Sequence, residues 1–252
     1  MQISRLTGGA FPSLIAIITM FFVGAAGGLF SSVLSAAVLT GIIVLGILMT
    51  FLMTRLLSKT ILKGIPSSFT LELPPYRRPE ISKVIVRSIF DRTIFVLGRA
   101  AAVAAPAGVL IWLMANLTVG GATLLQHSST FLDPLGRLMG LDGVILLAFI
   151  LGFPANEIVI PIMIMTYTAQ GSLVELSNLS AMRELFVANG WTWITALNVM
   201  LFSLMHWPCS TTLLTIKKET GSRKWTALSA LLPTAVGSVI CIIVATVARL
   251  FS

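Results

Sequence analysis

Apolar residues gather in six runs, at 11–30, 33–53, 100–119, 143–169, 191–216 and 226–250, and polar residues fill the stretches between them. Each run is about 20 residues or longer, the length a helix needs to cross a hydrocarbon core. None shows the period-two alternation of a barrel strand, and a backbone without water partners must close its hydrogen bonds within a helix. The pattern predicts an all-α fold, a polytopic membrane helical bundle with about five to six hydrophobic spans. Two of the runs contain a proline within three residues of an Asn, Glu, His or Cys side chain, Pro154 in the fourth and Pro208 in the fifth.

The polar stretches differ in charge. Arg55, Lys59, Lys63, Arg77, Arg78, Lys83, Arg87, Arg92 and Arg99 stand against only Glu72, Glu80 and Asp91. This places 55–99 in the cytoplasm by the positive-inside rule, and Lys217, Lys218, Arg223 and Lys224 do the same for the loop before the last run. Three prolines keep 72–79 out of regular helix. Beyond them, Ile81, Val84, Ile85 and Ile89 share one face, with Lys83, Arg87 and Arg92 elsewhere, predicting an amphipathic helix lying on the membrane surface. The stretch 120–141 is expected to be an external loop, with His127 solvated. The stretch 171–190 is expected to hold a short helix over 182–187, capped by Asn178 or Ser180. The first two runs form a helical hairpin turning at 27–32. Run 11–30 exceeds the apolar core of a secretory signal and is read as a retained span, so the chain starts almost directly in the membrane.

Charge also constrains the crossings. With 55–99 and 217–224 on one side, the span at 100–119 and the two interrupted runs must together cross an even number of times. The interrupted runs therefore supply an odd number, and one of them is expected to be re-entrant. The pattern leaves open which.

Composition narrows the class further. The chain is 56% hydrophobic and 10% charged, and its net charge of +8 lies beside apolar spans, as in basic cytoplasmic loops rather than a nucleic-acid surface. Cys209 and Cys241 both fall inside runs, which argues against a disulfide framework. No phosphate-binding glycine loop, zinc-protease helix, paired CxxC or catalytic triad is present, so the chain is not expected to be an enzyme, nor to hold a covalently bound cofactor.

The chemistry sits at the two interruptions. In Gly152-Phe153-Pro154-Ala155-Asn156-Glu157, the proline is expected to deprive the carbonyl of Ile150 of its donor and to split the run into two half-helices. Asn156 then falls near the start of the second half, where it can cap, and Glu157 in its first turn, where the helix dipole favours an anion. Pro161 releases the carbonyl of Glu157. A carboxylate, an amide oxygen and free carbonyls make a cation-binding inventory. In His206-Trp207-Pro208-Cys209, the imidazole and thiol share a face if the turn is helical, and they suit borderline transition metals. Intramembrane polar groups can equally be structural: a carboxylate paired with arginine, a capping amide, a histidine satisfied in the core, a cysteine packed as a small hydrophobe. Ser210, Thr211 and Thr212 either add hydroxyls or bond back to their own helix. The candidate metal-contacting residues are Glu157, Asn156, Cys209 and His206.

Taken together, Glu72-Leu73-Pro74-Pro75-Tyr76-Arg77, Gly152 to Glu157 and Pro208-Cys209 resemble the C-terminal membrane half of the FeoB family, the bacterial ferrous-iron transporters. The resemblance covers nearly the whole chain. It implies an integral membrane permease domain of the bacterial inner membrane, divided into a helical hairpin (1–54), a cytoplasmic basic segment (55–99) and a gate-type membrane domain (100–252). Fe(II) would be the transported ion. The family's members carry an N-terminal GTP-binding domain and earlier spans, neither of which is read in these residues, so the chain is expected to be a split-gene half, a fragment or a degenerate paralogue that works with a separate GTPase. The implied partners are therefore the lipid bilayer and a separate GTPase or other membrane subunit, with a homo-oligomer as a further option. The sequence departs from the family at 6–10, Leu6-Thr7-Gly8-Gly9-Ala10, where one branch has a cysteine. Two other readings stand beside this one: a non-transporting scaffold or regulatory subunit, and a nucleoside-transporter-like carrier.

Overall fold

Helix is the dominant state wherever the chain is described. The computed structural model describes residues 29–60, 94–169 and 178–251, with 16–18, 20–21, 86, 90 and 171. The Glu72 to Arg77 motif, the amphipathic stretch after Glu80 apart from Val86 and Phe90, and most of the first run lie outside these residues. Nine α-helices are found among the described residues: α1 (Leu29–Thr60), α2 (Phe95–Asn116), α3 (Leu124–Leu138), α4 (Gly143–Leu151), α5 (Val159–Thr168), α6 (Leu179–Ala188), α7 (Trp193–Met205), α8 (Ser210–Thr220) and α9 (Arg223–Phe251).

By length and composition, two described stretches can cross a membrane, Trp193–Thr220 (α7 with α8) and Arg223–Phe251 (α9). Ala36–Leu52 and Ala100–Asn116 are shorter apolar helices within α1 and α2. Helix α1 covers the second run, but it starts before residue 33 and continues past Arg55 to Thr60. Apolar side chains on α1, α2 and α9 face outward, among them Phe51, Trp112 and Ile243, all more than half exposed. Such a surface suits lipid rather than water.

The expected external loop is instead largely structured. Thr118–Val119 (β1) pairs antiparallel with Ala122–Thr123 (β2). Gly120 and Gly121 turn between them with φ of 64° and 86°, a two-residue turn that needs positive φ at both positions. Helix α3 then starts in a capping box: Gln126 N–H donates to Thr123 Oγ1 (3.2 Å), and Thr123 N–H donates to Gln126 Oε1 (3.0 Å). The Thr-x-x-Gln signal was in the sequence, and it explains why this polar stretch is helical. As expected, His127 is exposed; its Nε2 lies 2.8 Å from the Val119 carbonyl. The short helix expected in 171–190 is α6, capped by Asn178, whose side chain accepts from Ser180 N–H.

The core lies between α4, α5 and α7. Ile145, Ala148, Ile162, Met163, Ala196 and Met200 are fully buried there. Ile17, Ile18, Met20 and Phe21 of the first run join this core, and Phe21 stacks on Trp191 with ring centres 5.9 Å apart. Helix α9 approaches α7 through a stripe of small buried residues, Gly237, Cys241 and Ala245. A Cβ at Gly237 would lie 2.8 Å from Met205 Cβ, so the glycine is what allows the close crossing.

Hydrogen bonds define one end of the bundle. Asn116, ending α2, donates to the carbonyl of Gly171 (2.9 Å), just beyond α5. Tyr167, in the last turn of α5, donates to Asp142, the N-cap of α4, and accepts from Trp191 Nε1 (2.9 Å), just before α7. Arg249, near the end of α9, donates to the carbonyl of Arg137, near the end of α3. The start of α4 and the end of α5 are thus side by side, so α4 and α5 form a hairpin. Their break is its tip.

Candidate functional site

The tip is built by local rules. Helix α4 ends at Leu151, and Gly152 N–H donates to the Ala148 carbonyl (2.8 Å). A Cβ on Gly152 would sit 2.4 Å from Val159 Cγ2, so only glycine lets the two helices meet so closely at the turn. The Ile150 carbonyl does not lose its partner to Pro154 as expected: Phe153 N–H reaches it (3.2 Å) in a 3₁₀-type closure. The acceptors that turn outward belong to Phe153 and Pro154 themselves.

Ala155 is extended, and a 3₁₀ turn, Asn156–Ile158, leads into α5. Two half-helices therefore meet where the proline predicts. Asn156 is not the cap, since no side chain caps this turn; its Oδ1 is buried and accepts no hydrogen bond among the described residues. Glu157 occupies the first turn, as expected, and its side chain is exposed.

At the second break α7 ends at Met205. His206 is extended (φ −70°, ψ 178°), and so is Cys209 (φ −58°, ψ 157°), the residue before α8. The expected helical turn is therefore absent, and His206 and Cys209 do not share a helical face. Pro208 disfavours the α region for Trp207, and residues 206–209 join the two helices as non-helical backbone. His206 is 1% exposed, packed against Phe149 with ring centres 5.0 Å apart. Its Nδ1 lies 2.8 Å from the Ser203 carbonyl, which makes Nδ1 the donor in this contact. Cys209 is half-buried, its Sγ 3.2 Å from Thr211 Oγ1 and 3.1 Å from Thr212 Oγ1. The indole Nε1 of Trp207 is buried and donates to nothing among the described residues.

The two breaks touch. Ser210 N–H, the first donor of α8, bonds the Phe153 carbonyl at 2.9 Å, and Ser210 Oγ lies 3.5 Å from the Pro154 carbonyl. The exposed donors of one helix start thus meet the exposed acceptors of the other turn. Among the described residues, no three His, Cys, Asp or Glu side chains converge as a metal-binding group. Glu157, Asn156, His206 and Cys209 are distributed along two touching turns rather than around one point.

Sequence reasoning missed two things here. One is the role of Ser210. The other is the base of the hairpin, where Asp142 also accepts from Ile145 N–H (2.7 Å), and Asp133 accepts from Gly143 N–H (3.2 Å) and from Arg137 Nε (2.6 Å). Burial pushes the Asp142 carboxyl above its ordinary range, with the hydrogen bond from Tyr167 acting in the other direction. Asp142 just before an apolar run was a legible N-cap signal. Its partnership with Tyr167 was not, because 25 residues separate the two.

Comparison with known proteins bears on these breaks. A family profile described as "Ferrous iron transport protein B C terminus" matches residues 39–91, and one described as "Nucleoside recognition", the Gate family, matches 97–223. The second match alone covers half of the chain and contains both breaks. The chain belongs to the FeoB family. The Fe(2+) transporter FeoB of Staphylococcus aureus (strain MSSA476) is 31% identical over 235 residues, covering 89% of this chain and 33% of the relative. The FeoB of Methanocaldococcus jannaschii is 27% identical over 239 residues, covering 89% and 34%. That of Leptospira interrogans serovar Lai is 26% identical over 211 residues, covering 75% and 30%. The chain thus spans about a third of the length of the curated FeoB relatives it matches. Those relatives are named for transport rather than for an enzymatic reaction. No solved structure matches the chain.

Proposed function

We propose that this chain is the permease part of a ferrous-iron transporter in a bacterial inner membrane, and that Fe(II) passes where the tip of the α4–α5 hairpin meets the break between α7 and α8. The observation that carries the proposal is the Ser210 N–H bond to the Phe153 carbonyl, which brings two ligand-bearing breaks together. Non-helical backbone at membrane depth is tolerated where it is buried in protein or lines a cavity. The buried Asn156 Oδ1 and Trp207 Nε1 call for water or a hydrated ion, because polar atoms in a low-dielectric interior are costly unless satisfied. Glu157 supplies charge, and Cys209 and His206 supply the softer donors that favour a transition metal over Mg(II) or Ca(II).

The topology that fits has α4–α5 as the re-entrant element. Helices of nine and ten residues are about 14–15 Å long, half a bilayer core. Helix α2 then crosses once and α7–α8 once, which satisfies the even count required by the basic segments. Lys217, Lys218, Arg223 and Lys224 lie in the cytoplasm, and the Asp142–Tyr167–Trp191 end lies outside. Gating or energy comes from a GTPase subunit on the cytoplasmic face.

Reconstituted into vesicles with its GTPase partner, the chain should take up Fe(II), and Glu157→Ala or Cys209→Ala should each slow uptake about tenfold or more, equivalent to about 1.4 kcal/mol on the barrier. Uptake at the wild-type rate in both variants would remove the assignment. The profile's description as nucleoside recognition supports a second reading, a nucleoside carrier. Thermal stabilisation of the purified chain by nucleosides, with none by Fe(II), would favour that reading.

A further inference from the structure

The two sides of the junction are held very differently. The hairpin side is fixed. Ile145, Ala148, Ile162 and Met163 are fully buried, and its open end is tied through Asp142, Tyr167, Trp191 and Asp133. The α8 side is not. Of its eleven residues only Ser210 is buried, and non-helical backbone bounds the helix at each end. At its start lie residues 206–209, non-helical backbone with His206 and Cys209 extended. At its end lies Gly221, with φ of 63° and no atom within 4 Å of where a Cβ would sit among the described residues. A left-handed glycine with no such neighbour is a position where a change of backbone angle meets little steric resistance.

We infer that α8 is the moving arm of the gate and that Ser210 is its latch, while the hairpin stays in place. This rests on the permease reading for its purpose, but its geometry can be tested without transport. Opening swings α8 about residues 206–209 and Gly221 and separates Ser210 from Phe153 and Pro154. At the junction itself this separation breaks one good backbone hydrogen bond and one long side-chain bond, a latch weak enough to be released reversibly. Lys217 and Lys218 lie at the far end of the arm, where a force from the cytoplasmic face would have most leverage. Ser210 is thus a positioning residue, acting on the path by holding the two turns together.

The test exploits a coincidence of backbone geometry. Ser210 is the first residue of α8, where proline is well tolerated. Cys209 before it is already extended, as the residue before a proline prefers. Ser210→Pro therefore removes the N–H that bonds Phe153 without requiring α8 to unfold. In the full chain, in proteoliposomes, with Cys241→Ala leaving Cys209 as the single thiol, the labelling rate of Cys209 by a water-soluble maleimide reads the opening. Ser210→Pro should raise that rate roughly fivefold, the equivalent of about 1 kcal/mol for one hydrogen bond. Ser210→Ala, which keeps the N–H and loses only the bond to the Pro154 carbonyl, should raise it by less, and it serves as the test if the proline variant does not fold. Tyr167→Phe, at the base of the hairpin, should leave it unchanged. Equal rates for wild type and the Ser210 variants, or an equal rise in Tyr167→Phe, would overturn the inference. Iron plays no part in the labelling, so its outcome is separate from that of the uptake assay.

Discussion

The two helix breaks begin from the same cue, a proline in an apolar run, and reach opposite outcomes. At 152–155 the chain reverses, and α5 returns alongside α4. At 206–209 it continues, and α8 carries on in the general direction of α7. Proline explains only where each helix stops. The direction afterwards depends on what surrounds the break. At the first, Gly152 allows α4 and α5 to touch at the tip, and Asp142 and Tyr167 join their far ends. At the second, α9 runs past the break, close to Met205 because Gly237 has no side chain, and packs on both α7 and α8. A proline sets the end of a helix, and its neighbours set the path that follows.

The sharpest way to break this comparison is at the base of the reversing segment. A Cβ on Gly143 would sit 1.9 Å from the Ser129 carbonyl oxygen and 2.7 Å from Asp133 N, both backbone atoms that cannot move independently. Gly143→Ala should therefore destabilise the fold by about 3 kcal/mol or more, read as a large loss of thermal stability in detergent. A near-wild-type midpoint would mean that α3 and α4 do not pack this way.

Tyr167→Phe is expected to act less strongly. It leaves Asp142 without its hydroxyl donor and Trp191 Nε1 without its acceptor, at a cost of about 1–3 kcal/mol for buried groups left unsatisfied. If the reversal does not depend on its base, thermal unfolding of this variant will match that of wild type.

The smallest effect is the pH dependence from the same base. The folded-state pKa of Asp142 is raised above 3.8, so between that value and the raised one the native state binds more protons than the unfolded state. Stability should fall as pH rises through this window and level off above it. Asp142→Asn should flatten that slope. An unchanged slope in the variant would place the titrating group elsewhere.

Much of the first break was legible, because each feature acts locally. Pro154 and Gly152 predicted two half-helices, and Glu157 fell in the first turn of the second, where the backbone rule put it. Asn156 was misread as a cap because Ala155, with nothing to mark it, took the position before the turn. At the second break, the assumption that His206 and Cys209 share a helical face failed, since Pro208 constrains the residue before it as well as the helix it ends. The loop expected at 120–141 failed for another reason. Sparse charge and the absence of an apolar run suggest a loop, whereas the four-residue Thr123–Gln126 capping box marks a helix start.

By itself, the sequence determined the helical membrane class, the positions of both breaks, the charge asymmetry of the connections and the family. All of these rest on interactions within a few residues or on the sum of composition against a bilayer. Counting charges on the connections adds the expectation that one interrupted run returns to its own side. Only the tertiary structure decided that α5 folds back along α4, that the tip of this hairpin meets Ser210, and that its base is held through Tyr167. Those facts depend on contacts between residues 25 to 57 positions apart, such as Asp142 with Tyr167 and Phe153 with Ser210. No local propensity specifies such a pairing. It follows from which surfaces pack together, and small residues such as Gly143 and Gly237 permit that packing without announcing their partners.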